Sequence, residues 1–297
     1  MAERKLCRII MKIKIVVNAY MKNNSQKKQA ERLREELLGL GAECEIVKNT
    51  ALAEITDGNI VAERADCVIF LDKDKAAARL LEKAGVKLVN SASAIEVCDD
   101  KMLTHIALAN CGIPMPDCVY APLCYYPDAE VSEKLILHTA EKLGFPLVAK
   151  KCYGSLGAGV YLINNAEELT EFENKNKLCA HFYQKFIGRG GEDIRVIVIG
   201  GNYVCAMKRS NVKDFRSNVE LGGHGEKYEA DEELISLCEK VANILNLDYC
   251  GIDVLTDENG KRYICEVNSN AFFAEAERVC GVNIAKKFAE TVLNKWQ

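Results

Sequence analysis

The tetrapeptide Glu258-Asn259-Gly260-Lys261 constrains the fold of this chain more than any other segment. An Asn-Gly pair between strand-like runs is the strongest short-range signal for a tight hairpin, and it fixes the register around itself. Read as a two-residue loop, it sets Glu258 opposite Lys261, and counting outward pairs Val254 with Cys265, Asp253 with Glu266, Ile252 with Val267 and Gly251 with Asn268. One face is then apolar and the other carries Asp253, Glu266 and Asn268. Directly opposed carboxylates place their Cβ atoms roughly 4.5–5.5 Å apart, a repulsion that destabilises the sheet unless something neutralises it. A divalent cation would do so. Hard oxygen donors without His or Cys suit Mg²⁺ or Mn²⁺, and a carboxylate shared between two ions is how two-metal phosphoryl-transfer sites are built. The same pattern also fits a solvated hairpin whose acids face water or a lysine, so the rest of the chain must decide.

At 297 residues the chain is long enough for two or three packed subdomains with real cores. A net charge of -4 offers no broad basic surface, which argues against nucleic acid as the main partner. None of the 14 cysteines forms a Cys-x-x-Cys pair, and no His partners sit at zinc-ligand spacing. Cysteines flanked by apolar residues, such as Cys67, Cys205 and Cys265, read as small core residues in a reducing cytosol. Residues Met1 to Ile10 have no long apolar core and no small-residue cleavage site, and no stretch approaches a membrane span, so a cytoplasmic protein is expected. A strand-like run opening at Met11 makes the first ten residues an appendage or an alternative start.

From Lys12 to about Asn90 strand and helix patterns alternate: Ile13 to Val17, a helix from Ser25 to Leu40, Cys44 to Val47, Cys67 to Leu71, a helix from Lys75 to Lys83, and Val86 to Val89. That alternation predicts a small, mostly parallel sheet flanked by helices. A helix from Asp99 to Asn110 stops before Gly112 and Pro114. The remainder mixes helices at Ser132 to Leu143, Ala166 to Asn174 and Glu232 to Leu245 with strands at Leu147 to Lys150, Val160 to Ile163, His181 to Phe186, Ile194 to Ile199 and Tyr203 to Lys208. Asp214 to Glu226 reads as irregular, and an amphipathic helix from Val282 to Trp296 closes the chain. The fold class is therefore α/β followed by two α+β lobes, without internal repeats.

Gly154-Ser155-Leu156-Gly157-Ala158-Gly159 lies between two predicted strands. It lacks the Gly-Lys-Ser/Thr ending of a P-loop, and no helix follows it, so a dinucleotide-binding reading fails as well. A glycine-rich turn between strands suits a flap over nucleotide phosphates, or simply a hairpin loop. Lys150, four residues before Gly154, favours the flap, because a cationic stem beneath it reaches a phosphate. Arg195, Arg209 and Arg216 supply guanidinium forks suited to phosphate oxygens, although any one alone reads equally well as a surface ion pair. The four histidines form no nucleophilic dyad, and His224, between glycines, reads as a loop residue.

Together these segments resemble the RimK-like glutamate ligases of the ATP-grasp superfamily, over about residues 12 to 290. The likeness rests on Asp100-Lys101, Pro146-Leu-Val-Ala-Lys150 with the glycine loop, Gln184-Lys-Phe-Ile187, Glu192-Asp-Ile-Arg195, Asp214-Phe-Arg-Ser-Asn218, Gly251-Ile-Asp253 and Glu266-Val-Asn268. It implies an ATP-grasp fold, with an N-terminal α/β domain over residues 1–98, a central lobe over 99–187 and a C-terminal lobe over 188–297, the last two gripping ATP. By the same resemblance, Lys101 and Lys150 would contact the α- and β-phosphates, with Gly154, Ser155, Gly157 and Gly159 closing over them. Gln184, Lys185 and Phe186 would line the adenine pocket, Asp193 would approach the ribose, and Arg216, Ser217 and Asn218 would complete the nucleotide site. Asp253, Glu266 and Asn268 would hold two Mg²⁺ or Mn²⁺ ions, while Arg209 and Arg195 would steady the transferred phosphoryl group or the tetrahedral intermediate.

The implied reaction is ATP-dependent ligation of a carboxylate to an amine through an acylphosphate, plausibly adding glutamate or another amino acid to a small molecule or a peptide. Such enzymes form dimers or tetramers. This chain departs from the family where Asn268-Ser269 leads into Asn270-Ala271-Phe272-Phe273 instead of a small residue and Pro-Gly, and where Lys185 occupies a commonly acidic hinge position. The first departure bears on substrate identity more than on ATP use. Two other readings stand beside this one: a peptide-modifying ligase that forms side-chain amides or esters, and a regulatory protein that binds ATP without ligation.

Overall fold

The computed structural model describes residues 10–22, 24–155, 157–217 and 222–296. The first nine residues and Asn218 lie outside them. Parallel pairing organises the N-terminal part, where β1 (Lys12–Val17), β2 (Glu43–Lys48), β5 (Cys67–Phe70) and β6 (Leu88–Val89) form a sheet in the order β2-β1-β5-β6. The crossovers are α1 (Asn24–Gly39) and α2 (Lys75–Lys83). Ala30, Leu33 and Leu37, spaced by three and four residues, form the buried stripe of α1. Asp74 caps α2 by accepting from Ala77 N at 3.0 Å. A short hairpin, β3 (Ala53–Thr56) and β4 (Asn59–Ala62), interrupts the expected alternation.

The helix expected from Asp99 to Asn110 is α4 (Lys101–Leu108), and a helix that the sequence reading missed, α3 (Ala92–Asp99), directly precedes it. Asp100 separates them. It takes an extended conformation, and its Oδ1 accepts from Met102 N (2.9 Å) and Leu103 N (3.1 Å), so its side chain competes with helix continuation and caps the second helix.

A second, four-stranded sheet runs β7-β10-β8-β9, from β7 (Cys118–Tyr120), β8 (Leu147–Lys151), β9 (Val160–Ile163) and β10 (His181–Lys185). Helices α5 (Glu133–Leu143) and α6 (Ala166–Asn176) cover one face. The third sheet, β13-β12-β11-β14-β15, contains β11 (Glu192–Ile199), β12 (Asn202–Ser210), β13 (His224–Tyr228), β14 (Tyr249–Thr256) and β15 (Arg262–Asn268). The segment read as irregular therefore ends in a strand, and His224 opens β13 opposite Ser210. Between β13 and β14 lies α7 (Glu232–Ile244), and the chain ends in α8 (Ala274–Cys280), which the sequence reading missed, and α9 (Ile284–Trp296).

Packing ties the first and third sheets together. One apolar cluster joins Ile13, Ile15 and Ile69 of the first sheet, Leu33 and Leu37 of α1, Ile197, Cys205 and Tyr249 of the third sheet, and Phe288 and Val292 of α9. Asn90 adds a polar clasp. Its Nδ2 donates to Tyr249 O and Ser269 O, both at 2.8 Å, while its Oδ1 accepts from Asp248 N (2.6 Å) and Tyr249 N (3.1 Å). The middle sheet buries a separate core with α5 and α6. No helix among the described residues is long and apolar enough to cross a membrane.

Candidate active site

Asp253 faces Glu266, Ile252 faces Val267 and Gly251 faces Asn268, as the hairpin arithmetic predicts. The route to that register differs. The loop has three residues, Glu258-Asn259-Gly260, closed by Asp257 N donating to Lys261 O at 2.9 Å. Gly260 takes a left-handed φ of 82°, the usual geometry of a three-residue hairpin. Asp257 Oδ1 fixes the loop by accepting from Asn259 N and Lys261 N, each at 2.9 Å. This loop shifts the pairing by one residue, so Val254 faces Ile264 rather than Cys265, and a bulge at Cys265 restores the original phase at Glu266.

The bulge also corrects the reading of Cys265 as a core residue. Its Sγ accepts from Lys150 Nζ at 3.3 Å, and it lines the cavity beside Glu266. On the reverse face Ile252, Val254 and Val267 are almost completely buried, as expected, and the shifted register adds Ile264 to them.

Asp253 is neutralised by arginine. Arg195 Nε and Nη2 donate to its two oxygens, the second bond measuring 2.8 Å, and Arg209 Nη2 lies 3.0 Å from Oδ2. Burial opposes ionisation, but the two guanidiniums outweigh it and hold the Asp253 carboxyl below its usual range. Arg209 also forks onto Asp193, with Nε at 2.7 Å from Oδ1. Burial works against the Arg209 charge, but Asp193 and Asp253 reverse that effect and raise its pKa above the ordinary arginine value. The predicted nucleotide residue Asp193 is thus also an arginine anchor.

Glu266 is more open, with a quarter of its side chain exposed, and Lys101 Nζ lies 3.7 Å from its Oε1. A carboxylate offers about four lone-pair sites, and the arginines occupy three of those on Asp253. Among the described residues, no group of three or more His, Cys, Asp or Glu side chains is placed to hold a metal. The available donors, chiefly Glu266 with the Asn268 amide and one position on Asp253, fit Mg²⁺, which is commonly bound by one or two carboxylates together with substrate phosphates.

Two cations reach the glycine loop from separate elements. Lys101 opens α4 and donates to Gly154 O at 2.8 Å, while Arg216 Nη1 donates to Gly157 O, also at 2.8 Å. Gly154 has a φ of 140°, and a Cβ there would stand 2.7 Å from Ala158 O. Only glycine fits. Gln184 in β10 lies with its Nε2 3.1 Å from His105 Nε2. Burial and the nearby Lys150 charge lower the His105 pKa to about 4.

These groups enclose a cavity of about 640 Å³, within the range of small-molecule sites. It is lined by Lys101, Lys150, Gly154, Ser155, Gly157, Gln184, Lys185, Phe186, Asp193, Arg195, Arg209, Arg216, Ser217, Asp253, Glu266 and Asn268. Gly159 is outside the lining. Its missing side chain leaves room for the Lys151 stem, whose Cβ would lie 3.0 Å from a Cβ at 159. The sequence reading missed the contributions of Asn18 and Asp72 from the first sheet, and of Ala274 and Glu275 from α8. Polar residues just beyond parallel strands were the available signal for Asn18 and Asp72.

A model of the RimK-like ATP-grasp domain matches residues 98–292. Beta-citrylglutamate synthase B of Danio rerio is 33% identical over 226 residues, covering 75% of this chain and 54% of that protein. The glutamate–LysW ligase ArgX of Sulfurisphaera tokodaii is 33% identical over 220 residues, covering 72% of this chain and 75% of that one. The crystal structure of a RimK domain ATP-grasp protein from Sphaerobacter thermophilus superposes with a TM-score of 0.72 at 20% identity, covering 94% and 98% of the two chains. The chain spans about half the length of the curated synthase it matches.

Proposed function

The chain belongs to the RimK-like ATP-grasp family, and from that premise we propose that it is an ATP-dependent carboxylate–amine ligase that adds glutamate or a related amino acid to a small-molecule or peptide carboxylate. The observation that carries the reading is the convergence in one cavity of Lys101, Lys150, Arg195 and Arg209 with the opposed pair Asp253 and Glu266. Cations and acids drawn from α4 and from the second and third sheets serve no common packing purpose. They do suit a triphosphate held against a divalent ion. In this reading residues 1–98, 99–187 and 188–297 act as an acceptor-side domain and two nucleotide-gripping lobes.

Lys101 and Lys150 bind the α- and β-phosphates, and the Gly154 to Gly159 loop lies over them. Gln184, Lys185 and Phe186 receive the base. Glu266, Asn268 and the remaining position on Asp253 hold Mg²⁺, which when bound spreads the charge of the transferred phosphoryl group. The substrate carboxylate attacks the γ-phosphorus, giving an acylphosphate and ADP. The amine then attacks the acyl carbon, and phosphate leaves. Arg195 and Arg209, held rigid by Asp253 and Asp193, meet developing negative charge without reorganising. The flap excludes water, which would otherwise hydrolyse the acylphosphate.

The test is ADP release from purified protein given Mg²⁺, ATP and pools of amino acids, dipeptides and carboxylates, with products read by mass spectrometry. Acceptor-dependent ADP release and a product carrying one condensed amino acid are expected. ATP binding without any acceptor-dependent ADP release would replace this reading with a regulatory one.

A further inference from the structure

The cavity continues beyond the phosphate-facing cations to the carboxyl ends of the first sheet. There β1 leads through α1 to β2 on one flank, and β5 leads through α2 to β6 on the other. Chain direction therefore diverges between the adjacent strands β1 and β5, and open α/β sheets bind ligands in the crevice at such a point. Asn18 follows β1, Asp72 lies just past β5, and both line the cavity.

Asp72 is 8% exposed. Asn18 Nδ2 donates to its two oxygens at 3.2 and 3.0 Å, and Asn49 Nδ2, just past β2, donates to Oδ2 at 2.8 Å. All of these partners are neutral carboxamides. Among the described residues no lysine or arginine pairs with Asp72, and the two lysines that follow it in the chain are committed elsewhere: Lys73 and Lys75 lie 3.3 and 3.7 Å from Asp99. Burial pushes the Asp72 carboxyl above its usual range, against hydrogen bonds from Lys73 N and Asn18, and Asp74 and Asp99 add to the rise. A buried carboxylate without a counter-charge is costly, and here it opens onto a ligand cavity.

The missing charge points to a cation brought by the substrate. An organic ammonium needs only one carboxylate and an apolar surround, and Met21, Phe272 and Ala274 line the same cavity. At neutral pH the amine substrate of a ligase arrives as an ammonium ion. We propose that Asp72, aligned by Asn18 and Asn49, binds the ammonium group of the amino acid that supplies the amine. This assignment rests on the ligase reading and adds to it a residue that selects the amine substrate.

The test measures binding without turnover. The protein is saturated with ADP and Mg²⁺, screened by thermal shift against the standard L-amino acids, and the best binder is titrated calorimetrically beside its des-amino analogue, as glutarate is to glutamate. Wild type should prefer the amino acid by about tenfold or more, the scale of one charge-assisted hydrogen bond. Asp72→Asn should abolish that preference while leaving ADP affinity unchanged, which a merely structural role would not do. Should Asp72→Asn fail to fold, Asn18→Ala should weaken the amino acid several-fold and leave ADP alone. Wild-type amino-acid affinity in the folded variant, equal binding of the des-amino analogue by wild type, or ADP binding with no amino-acid binding would each overturn the proposal while the ligase reading stands. Loss of ADP binding by wild type would sink both.

Discussion

Asp253 faces Glu266 only because Cys265 is bulged out of the ladder between that pair and the turn. The opposed acids nevertheless have different surroundings: two arginines hold the first, and the second keeps a quarter of its side chain exposed beside Lys101.

That difference predicts different outcomes for their removal. Glu266→Ala should lower ADP release by about a hundredfold or more, the scale of losing one charge-stabilising group in an active site. Its melting temperature should stay near wild type. Asp253→Ala should cost about 3–5 kcal/mol, because it strands Arg195 in a buried position. Urea denaturation of both variants checks the contrast, and equal stability losses would contradict it.

Gly251 is set by packing rather than by backbone conformation. A Cβ there would stand 2.5 Å from Ala271 Cβ and 3.0 Å from Arg195 Cδ. Gly251→Ala should therefore cost about 1–3 kcal/mol and lower turnover by displacing the arginine. Ala271→Gly in the same chain should recover part of both losses, which chemical denaturation and the ADP assay would show.

The flap makes a kinetic prediction. Gly154→Ala forces a side chain into a backbone carbonyl contact at a left-handed residue. The KM for ATP should rise at least several-fold with little change in melting temperature, since the loop adds little to the cores. Steady-state kinetics against ATP decides this.

His105 predicts acid sensitivity. Its folded pKa, lowered to about 4 by burial and by the Lys150 charge, lies below the unfolded value near 6.5. As pH falls through that window the unfolded chain takes up a proton that the folded chain refuses, so this stability is intact above the window, drains away across it and is gone below it. The slope should be on the order of 1 kcal/mol per pH unit. His105→Gln should flatten the curve between pH 6.5 and 4, measured by urea titration.

The acidic pair was legible in the sequence because two misreadings cancel. The assumed two-residue loop was one residue too short, and the unseen bulge at Cys265 returned the phase. A bulge leaves no trace in an apolar pattern. Helix boundaries at Lys75 and Lys83 were legible from periodicity, whereas α3, joined to α4 through Asp100 alone, went unread. Strands as short as β7 carry too few residues for alternation to show. The glycine loop and the lone cations that line the cavity announced themselves in the sequence. Asp72 did not, since its meaning depends on Asn18 and Asn49, which only the sheet brings near it.

The Asn90 carboxamide stitches the end of the first sheet to the third through four hydrogen bonds, two with Tyr249 at the head of the strand that carries Asp253 and one each with Asp248 and Ser269 beside it, and a shared apolar core reinforces the seam. The middle sheet, which carries the glycine loop, buries a core of its own with α5 and α6. Asp72 beyond β5 and Asp253 on β14 thus belong to one continuously packed unit, and the seam that Asn90 closes sets the span between them.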